Sequence, residues 1–457
     1  MVSVKITDKL AVFINTTKYD QLPKDIVDTA KESFLDFLAV SIAGYRKGPL
    51  SRIIIPYLLQ IGGKYESTVL GTNKKIPAIN AALANGISGH SMDLDDGHRR
   101  ALGHPGVTVI PAVLAVAELI GCSGRQLLTA IIIGYELFIR IGQVANPALL
   151  NRGFHTTGVC GALSAAAAVA KALSLSKEKI VSTLGIAGTQ SSGLLVVIYS
   201  GQMIKPLNAG KAAQSGVIAA LLAQKGVIGS VGIIEGKDGF MQTFSNKSDY
   251  SSILNSLGKN FVIKECYKKY YPACRHTHAA IDSALYLKNN NDFNIQDIQE
   301  IKITTYPVAL KLTQKEKMPK DEAGARFNIA FAVSLAIVKG KAGINEFSME
   351  NTKNQQIGDL FNKVKIISDY SFESKENNIR GAEVEIILRN DTCLKKRIVL
   401  PKGEPENPLT KEELYDKFND CIGKFWSNKK KEKVFEYIMN LDKVDNIRIL
   451  TDLIISQ

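Results

Sequence analysis

Hydrophobic positions in the first half of the chain recur at helical spacing. Between residues 23 and 44, Ile26, Ala30, Phe34, Phe37 and Leu38 share one face, Pro23 suits a first turn and Gly44 can end the element. The pattern predicts an amphipathic helix. Further on, Ser123 and Gln126 make a capping-box pair ahead of an apolar run. The stretch Gly161 to Leu173 is rich in alanine, so its small side chains allow close helix packing. Up to residue 260 the pattern is helical almost throughout.

Beyond that point the period shortens to that of strands. Ile301, Ile303 and Thr305 alternate with polar residues, as do Ala382, Val384, Ile386 and Leu388, and then Leu394, Lys396, Ile398 and Leu400. Asn390 and Asp391, between the last two runs, predict an antiparallel hairpin. Helical patterns at Ala279 to Lys288 and Arg326 to Lys339 lie between the strands. After Gly403 the segment EPENPLT reads as a connector, and Thr410 with Glu413 as a capping box that opens a return to helix. The expected fold is a large all-α domain, residues 1–267 completed by 404–457, plus a smaller α+β domain, residues 268–403.

Composition agrees with a folded enzyme or scaffold: 45% of the 457 residues are hydrophobic, 22% are charged, and no low-complexity tract interrupts them. The N-terminal segment has no uninterrupted apolar stretch followed by a cleavage site, so export is not expected. Apolar runs such as Leu127 to Gly134 and Leu163 to Ala170 are broken by Tyr, Glu or Lys before the roughly 18 residues a membrane span needs. Six cysteines, at 122, 160, 266, 274, 393 and 421, form no C-x-x-C pair and read as free thiols of a reducing, cytoplasmic compartment. The net charge of +13 is interleaved with acidic residues along most of the chain, which argues against nucleic acid and suits the steering of a small polyanion. Lys429, Lys430, Lys431, Glu432 and Lys433 read as a solvated helix face.

The six histidines fall in a few short segments: HSMDLDDGHRRALGHPG, GFHTTG, and the adjoining RHT and HAA at 275–280. Histidine is the side chain best suited to moving protons near neutral pH. Asp93, Asp95, Asp96, His98 and His104 offer ligand types that divalent ions accept, but neither H-E-x-x-H nor an EF-hand spacing is present, and no metal site is expected. Each of these residues alone also suits a helix cap or a solvated loop. His155 precedes the Ala-rich helix, whose N-terminal N–H groups favour a carboxylate, although Thr156 or Thr157 could equally cap that helix. Lys205 stands among apolar neighbours and could pair with a substrate carboxylate, whereas the following Gly210-Lys211 lacks the earlier glycine of a phosphate-binding loop. Lys269, Cys274, Arg275, His276 and His278 concentrate donors and titratable groups at the proposed domain junction. Cys274 has no dedicated base in sequence and reads as an unreactive thiol.

The segments HSMDLDDGH with LGHPGVTVIPAVLAVAE, GFHTTGVCGALSAAAAVAKAL, KPLNAGKAAQSGVIAALLAQKG, YYPACRHTHAAIDSAL and KGEPENPLTKEELYDKF, in this order, resemble the MmgE/PrpD family. That family includes 2-methylcitrate dehydratases, cis-aconitate decarboxylases and iminodisuccinate epimerases. The resemblance implies a helical domain built from both chain ends, an α+β lid between them, a homodimer, and an active site at the junction without metal or organic cofactor. It assigns active-site positions to Asp93, His104, His155, Lys205 and Lys269. On this basis Lys205, Lys269 and Arg275 take the carboxylates of a small polycarboxylate, with Cys274, His276 and His278 also in its binding region; His104 and His155 transfer protons and Asp93 orients an imidazole. Gly97 stands where many relatives have Thr, Ala330 where relatives often have Pro, and Cys274 where cis-aconitate decarboxylases have a histidine. The last departure counts against a decarboxylase; a hydro-lyase like 2-methylcitrate dehydratase is the leading reading, with epimerisation or decarboxylation of a related polycarboxylate as alternatives. A metal-dependent hydrolase and a non-catalytic anion-binding protein are the readings from other classes.

Overall fold

A computed structural model describes residues 5–198, 203–247, 249–374 and 379–455. The chain divides into two compact units, one made of Met1–Cys266 with Cys421–Gln457, the other of Tyr267–Asp420. The described residues are mostly helical, with a small sheet region.

In the first unit the described helices longer than five residues that precede the second unit are α1 (Ile6–Thr16), α2 (Lys24–Lys47), α3 (Ser51–Ile61), α4 (Ala78–His90), α5 (Gly106–Ile120), α6 (Gly124–Ala145), α7 (Thr156–Ala172), α8 (Lys177–Gly188) and α9 (Lys205–Gln224). A short antiparallel ladder, β1 (Ser67–Thr68) with β2 (Lys75–Ile76), lies between α3 and α4, so the unit is not strictly all-α. Helix α2 forms where its periodicity places it but runs past Gly44. A Cβ at Gly44 would lie 1.8 Å from the Ser88 carbonyl oxygen, so this glycine allows α4 to approach rather than ending α2. At the start of α6 the capping box forms as its sequence predicts, Ser123 Oγ accepting from Gln126 N–H and the Gln126 side chain accepting from Ser123 N–H at 2.9 Å.

Among the described residues α6 is the one helix long and apolar enough to cross a membrane, and 94% of its apolar window is buried inside the protein. Tyr135 and Glu136 interrupt its apolar run where the sequence has them, and both are buried within the packed unit. Glu136 and Arg140, one turn apart, pair at 2.8 Å, and Arg140 also donates to the carbonyls of Asn255 and Asn260. Helix α6 is thus a core helix whose buried ion pair is satisfied internally.

Helices α4, α7 and α9 pack through their small residues. A Cβ on Gly216 would come within 2.5 Å of Ala165 Cβ, and one on Gly210 within 2.5 Å of the Leu83 carbonyl oxygen. Gly86 faces the Gly210 backbone, where an added Cβ would stand 2.8 Å from the Gly210 Cα. This backbone contact brings the C-terminal end of α4, at His90, alongside the start of α9, at Lys205.

In the second unit a four-stranded sheet has the order β6-β5-β3-β4, with β3 (Ile298–Thr305), β4 (Val364–Ser368), β5 (Ala382–Leu388) and β6 (Cys393–Ile398). Strand β3 runs antiparallel to β5 and parallel to β4. The inward residues of β5 are Ala382, Val384, Ile386 and Leu388, all buried, which is the predicted alternation. Asp391, in the left-handed region at φ 64°, closes the β5–β6 hairpin. Edge strand β4 was not predicted: most of its side chains are exposed or half-buried, and it presents no clean alternation. Helix α10 (His278–Asn290) lies on the sheet and packs against α11 (Ile329–Lys339).

The return to the first unit comes later than residue 404. Gly403 is tied to Lys268, whose N–H donates to its carbonyl at 2.9 Å, and Asp420 accepts the Ile344 N–H at 2.7 Å. Those bonds hold residues 404–420 within the second unit. The Thr410 and Glu413 capping box forms and opens α12 (Lys411–Ile422), which carries the chain to the boundary. Helices α13 (Asn428–Met439) and α14 (Arg448–Ile455) then complete the first unit.

Because the group facing Gly210 is a backbone carbonyl rather than a yielding side chain, Gly210→Ala should destabilise the protein by about 1–3 kcal/mol. Urea unfolding would show this as a lower midpoint at unchanged slope; an unaltered midpoint would mean that α4 and α9 can separate without cost.

Candidate active site

Helix α4 ends on His90, and the loop after it turns sharply through Asp93, which has a left-handed backbone at φ 51°. Such a backbone is uncommon outside glycine and asparagine, and it places successive carboxylates of the loop in different directions. Asp93 meets Lys205, the first residue of α9, with Nζ 2.8 Å from Oδ1 and both side chains largely buried.

Asp95 points the other way and gathers two imidazoles. Its Oδ2 lies 2.9 Å from His90 Nδ1 and 3.1 Å from His104 Nδ1. His104 Nδ1 is also 2.6 Å from the Asp96 carbonyl oxygen. A carbonyl only accepts, so this nitrogen carries the proton and the lone pair of His104 is on Nε2. The His104 ring is the partly exposed one of the pair, while the His90 ring is fully enclosed. His90 Nε2 has no hydrogen-bond partner among the described residues.

Asp96 is built into the wall. Its Oδ2 accepts the Tyr135 hydroxyl at 2.5 Å, and its Oδ1 accepts the Gly106 N–H at 3.1 Å. A Cβ at Gly106 would stand 2.7 Å from both Asp96 Oδ1 and the Tyr135 oxygen, so only glycine fits there. His155 sits at the N-terminus of α7, its N–H bonded to the Gly193 carbonyl. Its Nδ1 accepts from Asn208 Nδ2 at 3.1 Å, which leaves the proton on Nε2. The His155 ring stacks 6.0 Å from that of His90, and His104 lies 4.9 Å from His90 on another side.

Burial sets the charge states. It brings the His90 imidazole down to about 4 despite the facing Asp95. It also takes His155 well below the ordinary histidine value, with His90, Lys205 and His104 pushing the same way. Burial alone would raise the Asp95 carboxyl, but His90 and His104 outweigh it and hold that group well below the usual carboxylate range. For Asp96 burial dominates, and the carboxyl is pushed up to about 6.

His90, Asp95 and His104 also form a group whose ligand atoms lie within 4.8 Å of one another. Both imidazoles nevertheless turn Nδ1 onto a single carboxylate oxygen, and His104 Nδ1 is protonated by the carbonyl test above. The arrangement reads as a hydrogen-bonded relay in which a cation would have to displace a proton.

The first unit therefore brings together Asp93, His104, His155 and Lys205. His98 turns elsewhere, its Nε2 3.3 Å from Glu265 and its Nδ1 accepting the Ala101 N–H. Three contributors escaped the sequence reading as site residues: His90, Asn208 and Tyr135. His90 and Asn208 stand inside the quoted motifs HSMDLDDGH and KPLNAGK, but Tyr135 lies in an apolar helix with no local signal.

Lys269, Cys274, Arg275, His276 and His278 belong to the second unit. Lys269 and Cys274 are buried there. All five Arg275 donors are committed: Nε and Nη2 to Glu404 Oε1 at 2.9 and 2.7 Å, and the remaining N–H groups to His278 Nδ1 and the carbonyls of Lys402 and Pro401. The expected carboxylate-binding role of Arg275 is corrected accordingly, since it anchors residues 401–404 and has no donor left for a substrate. His278, fully buried, receives that Arg275 bond and pairs its other nitrogen with the Ala273 carbonyl. His276 bonds the Tyr306 hydroxyl through Nδ1.

The buried titrating groups oppose one another in acid. Between the ordinary histidine value of 6.5 and about 4, the unfolded chain binds protons at His90 that the folded protein refuses, and His155 adds to this, so stability falls as pH drops. Asp96 works in reverse: folded, it takes its proton at about 6, unfolded only near 3.8, so acid favours the folded form through this group. Asp96→Asn removes the opposing contribution. The loss of unfolding free energy between pH 7 and about 4.5 should then be larger in the variant than in the parent, by urea denaturation at both pH values; equal losses would refute the assignment.

The chain matches the MmgE/PrpD N-terminal domain over residues 8–253 and the MmgE/PrpD C-terminal domain over residues 271–443. It is 25% identical to a cis-aconitate decarboxylase of Aspergillus terreus over 98% of this chain and 96% of that protein. With the cis-aconitate decarboxylase of Homo sapiens it shares 26% identity over 99% and 95% of the two chains. A mitochondrial 2-methylcitrate dehydratase of Yarrowia lipolytica is 22% identical over 85% of this chain and 78% of its own length. With both domains matched in order across nearly its whole length, the chain belongs to the MmgE/PrpD family.

Proposed function

We propose that the protein is a lyase that moves protons at a carbon next to a carboxylate of a small di- or tricarboxylate. The observation that carries this reading is the Asp95 carboxylate holding the Nδ1–H groups of His90 and His104 beside the Asp93–Lys205 ion pair. The relatives act in support, being named as lyases of this substrate class.

In this reading His104 Nε2 takes the proton from the carbon acid. The imidazolium that results is stabilised by Asp95 and by the Asp96 carbonyl, which already hold Nδ1–H. Lys205 supplies positive charge to a substrate carboxylate and to the enolate-like charge that builds on it. His155, kept neutral with its proton on Nε2, is placed to hydrogen-bond a leaving hydroxyl, which departs as water with the proton that His104 has taken. That pairing of a base with a hydrogen-bond donor suits dehydration, and a hydro-lyase resembling 2-methylcitrate dehydratase is the first reading. Decarboxylation of a cis-aconitate-like acid is the second, favoured by the relatives that match over 98% of the chain under that name.

Incubation of the purified protein with 2-methylcitrate, cis-aconitate and iminodisuccinate in deuterated water, followed by NMR, separates dehydration, decarboxylation and epimerisation. Absence of turnover and of deuterium exchange with all three would overturn the proposal. On the substrate that reacts, His104→Ala should lower kcat by about 10²–10⁴. Asp95→Asn should also lower kcat, with KM little changed, because it acts through His104, whereas Lys205→Ala should raise KM as well.

A further inference from the structure

His104 and His155 belong to the same cluster, yet they present opposite groups. His104 Nδ1 is 2.6 Å from the Asp96 carbonyl oxygen, so its Nε2 carries a lone pair. His155 is set the other way by Asn208, the fourth residue of α9. The Asn208 amide nitrogen, 3.1 Å from His155 Nδ1, can only donate, so Nδ1 accepts and the ring proton stands on Nε2.

The Asn208 side chain has little freedom to do otherwise. It lies between Gly158, in the first turn of α7, and Gly193: an added Cβ on the first would stand 3.3 Å from Asn208 Cβ, and on the second 3.2 Å from Asn208 Cγ. The Gly193 carbonyl also accepts the His155 N–H at 2.9 Å. One glycine thus fixes both the backbone that carries the imidazole and the amide that faces its ring.

The other polar groups of the cluster are committed. Lys205 is ion-paired with Asp93, one Asp95 oxygen takes two imidazole N–H groups, and the Asp96 oxygens accept from Tyr135 and from the Gly106 N–H. The His90 ring is fully enclosed. Among the described residues of the cluster, His104 is then the imidazole that combines a lone pair on Nε2 with a partly exposed ring. Burial keeps His155 neutral, with His90, Lys205 and His104 pushing the same way and Asp95 opposing. A neutral imidazole N–H donates a hydrogen bond but does not give up its proton near neutral pH.

We propose that Asn208 is a positioning residue that makes this a one-base site: by holding His155 as an Nε2–H donor, it leaves proton transfer to His104 alone. This inference rests on the lyase reading and narrows it. One base suits elimination, in which the C–H electron pair forms the double bond as the C–O bond breaks, and the hydroxyl leaves as water with the proton that His104 took. Epimerisation needs a second group to deliver a proton to the opposite face of the carbon, which a neutral His155 does not do. The transfers that the family resemblance shares between two histidines fall to one.

The chain has six histidines, so isotopically labelled imidazole nitrogens can be followed by NMR in the intact protein, His155 being identified by the signals lost in His155→Gln. Without substrate, His155 should show a protonated Nε2 and a bare Nδ1. Asn208→Asp puts a carboxylate beside Nδ1, in a first helical turn that favours acidic residues, and should bring a proton onto Nδ1. On the polycarboxylate that reacts, Asn208→Leu should lower kcat for elimination about tenfold or more with KM little changed. In deuterated water it should also raise exchange of the carbon-bound proton relative to elimination by about threefold or more, because abstraction by His104 survives. A loss of structure alone would lower both rates alike. The proposal is overturned if the parent carries the His155 proton on Nδ1, if Asn208→Asp leaves Nδ1 bare, or if Asn208→Leu leaves the ratio of exchange to elimination unaltered. Should none of the polycarboxylates react, the lyase reading falls and the one-base inference with it, while the nitrogen shifts, read without substrate, still decide whether Asn208 sets the tautomer.

Discussion

A carboxylate buried at the end of α4 dictates much of what surrounds it. Asp95 has to be ionised to hold two imidazole N–H groups on one oxygen, and burial opposes that ionisation. The imidazoles are the compensation. Because both give their Nδ1 protons to Asp95, both keep a lone pair on Nε2, and the tautomers of His90 and His104 are set by the same group. His90 is held neutral behind this arrangement, and His104 is the member left with a partly exposed edge. The carboxylate thereby fixes a partly exposed imidazole with its lone pair on Nε2.

That arrangement needs α4 and α9 at close range. Gly86 and Gly210 let the two backbones meet, and the same approach delivers Lys205 to Asp93 and Asn208 to His155. The left-handed backbone at Asp93 then lets two neighbouring carboxylates serve opposite partners, a lysine and a pair of histidines. Packing by small residues and polar chemistry are here one construction: a methyl group at Gly210 would disturb the ion pair without touching it.

Much of this was legible in the sequence, for identifiable reasons. The change from helical to alternating periodicity near residue 298 marks the sheet, because β3 and β5 bury one face only. Edge strand β4 escaped because its neighbours leave it half-covered. The later boundary escaped too, since the bonds that hold residues 404–420 come from Lys268, Arg275 and Ile344, far away in the chain. In the site, Asp93, His104, His155 and Lys205 stood out by residue type and local context, and the structure sets them side by side. His90 and Tyr135 did not, being helix residues whose partners are visible only after packing. Arg275 misled for the same reason: its counter-charge, Glu404, is remote in sequence, and an arginine beside histidines looks like a ligand group until that partner is found.

The first unit is assembled from chain segments separated by the whole of the second, and this imposes an order on synthesis. Gly124, at the start of α6, donates its N–H to the Val444 carbonyl, and Lys31 of α2 pairs with Asp442 at 2.5 Å. Helices made early must therefore wait, with part of their apolar surface uncovered, until the segment after residue 420 has been made to cover it. In that interval the nascent protein is exposed to aggregation and chaperone capture, whereas the second unit is continuous in sequence and waits on no later segment. A truncation near the C-terminus would make the interval permanent.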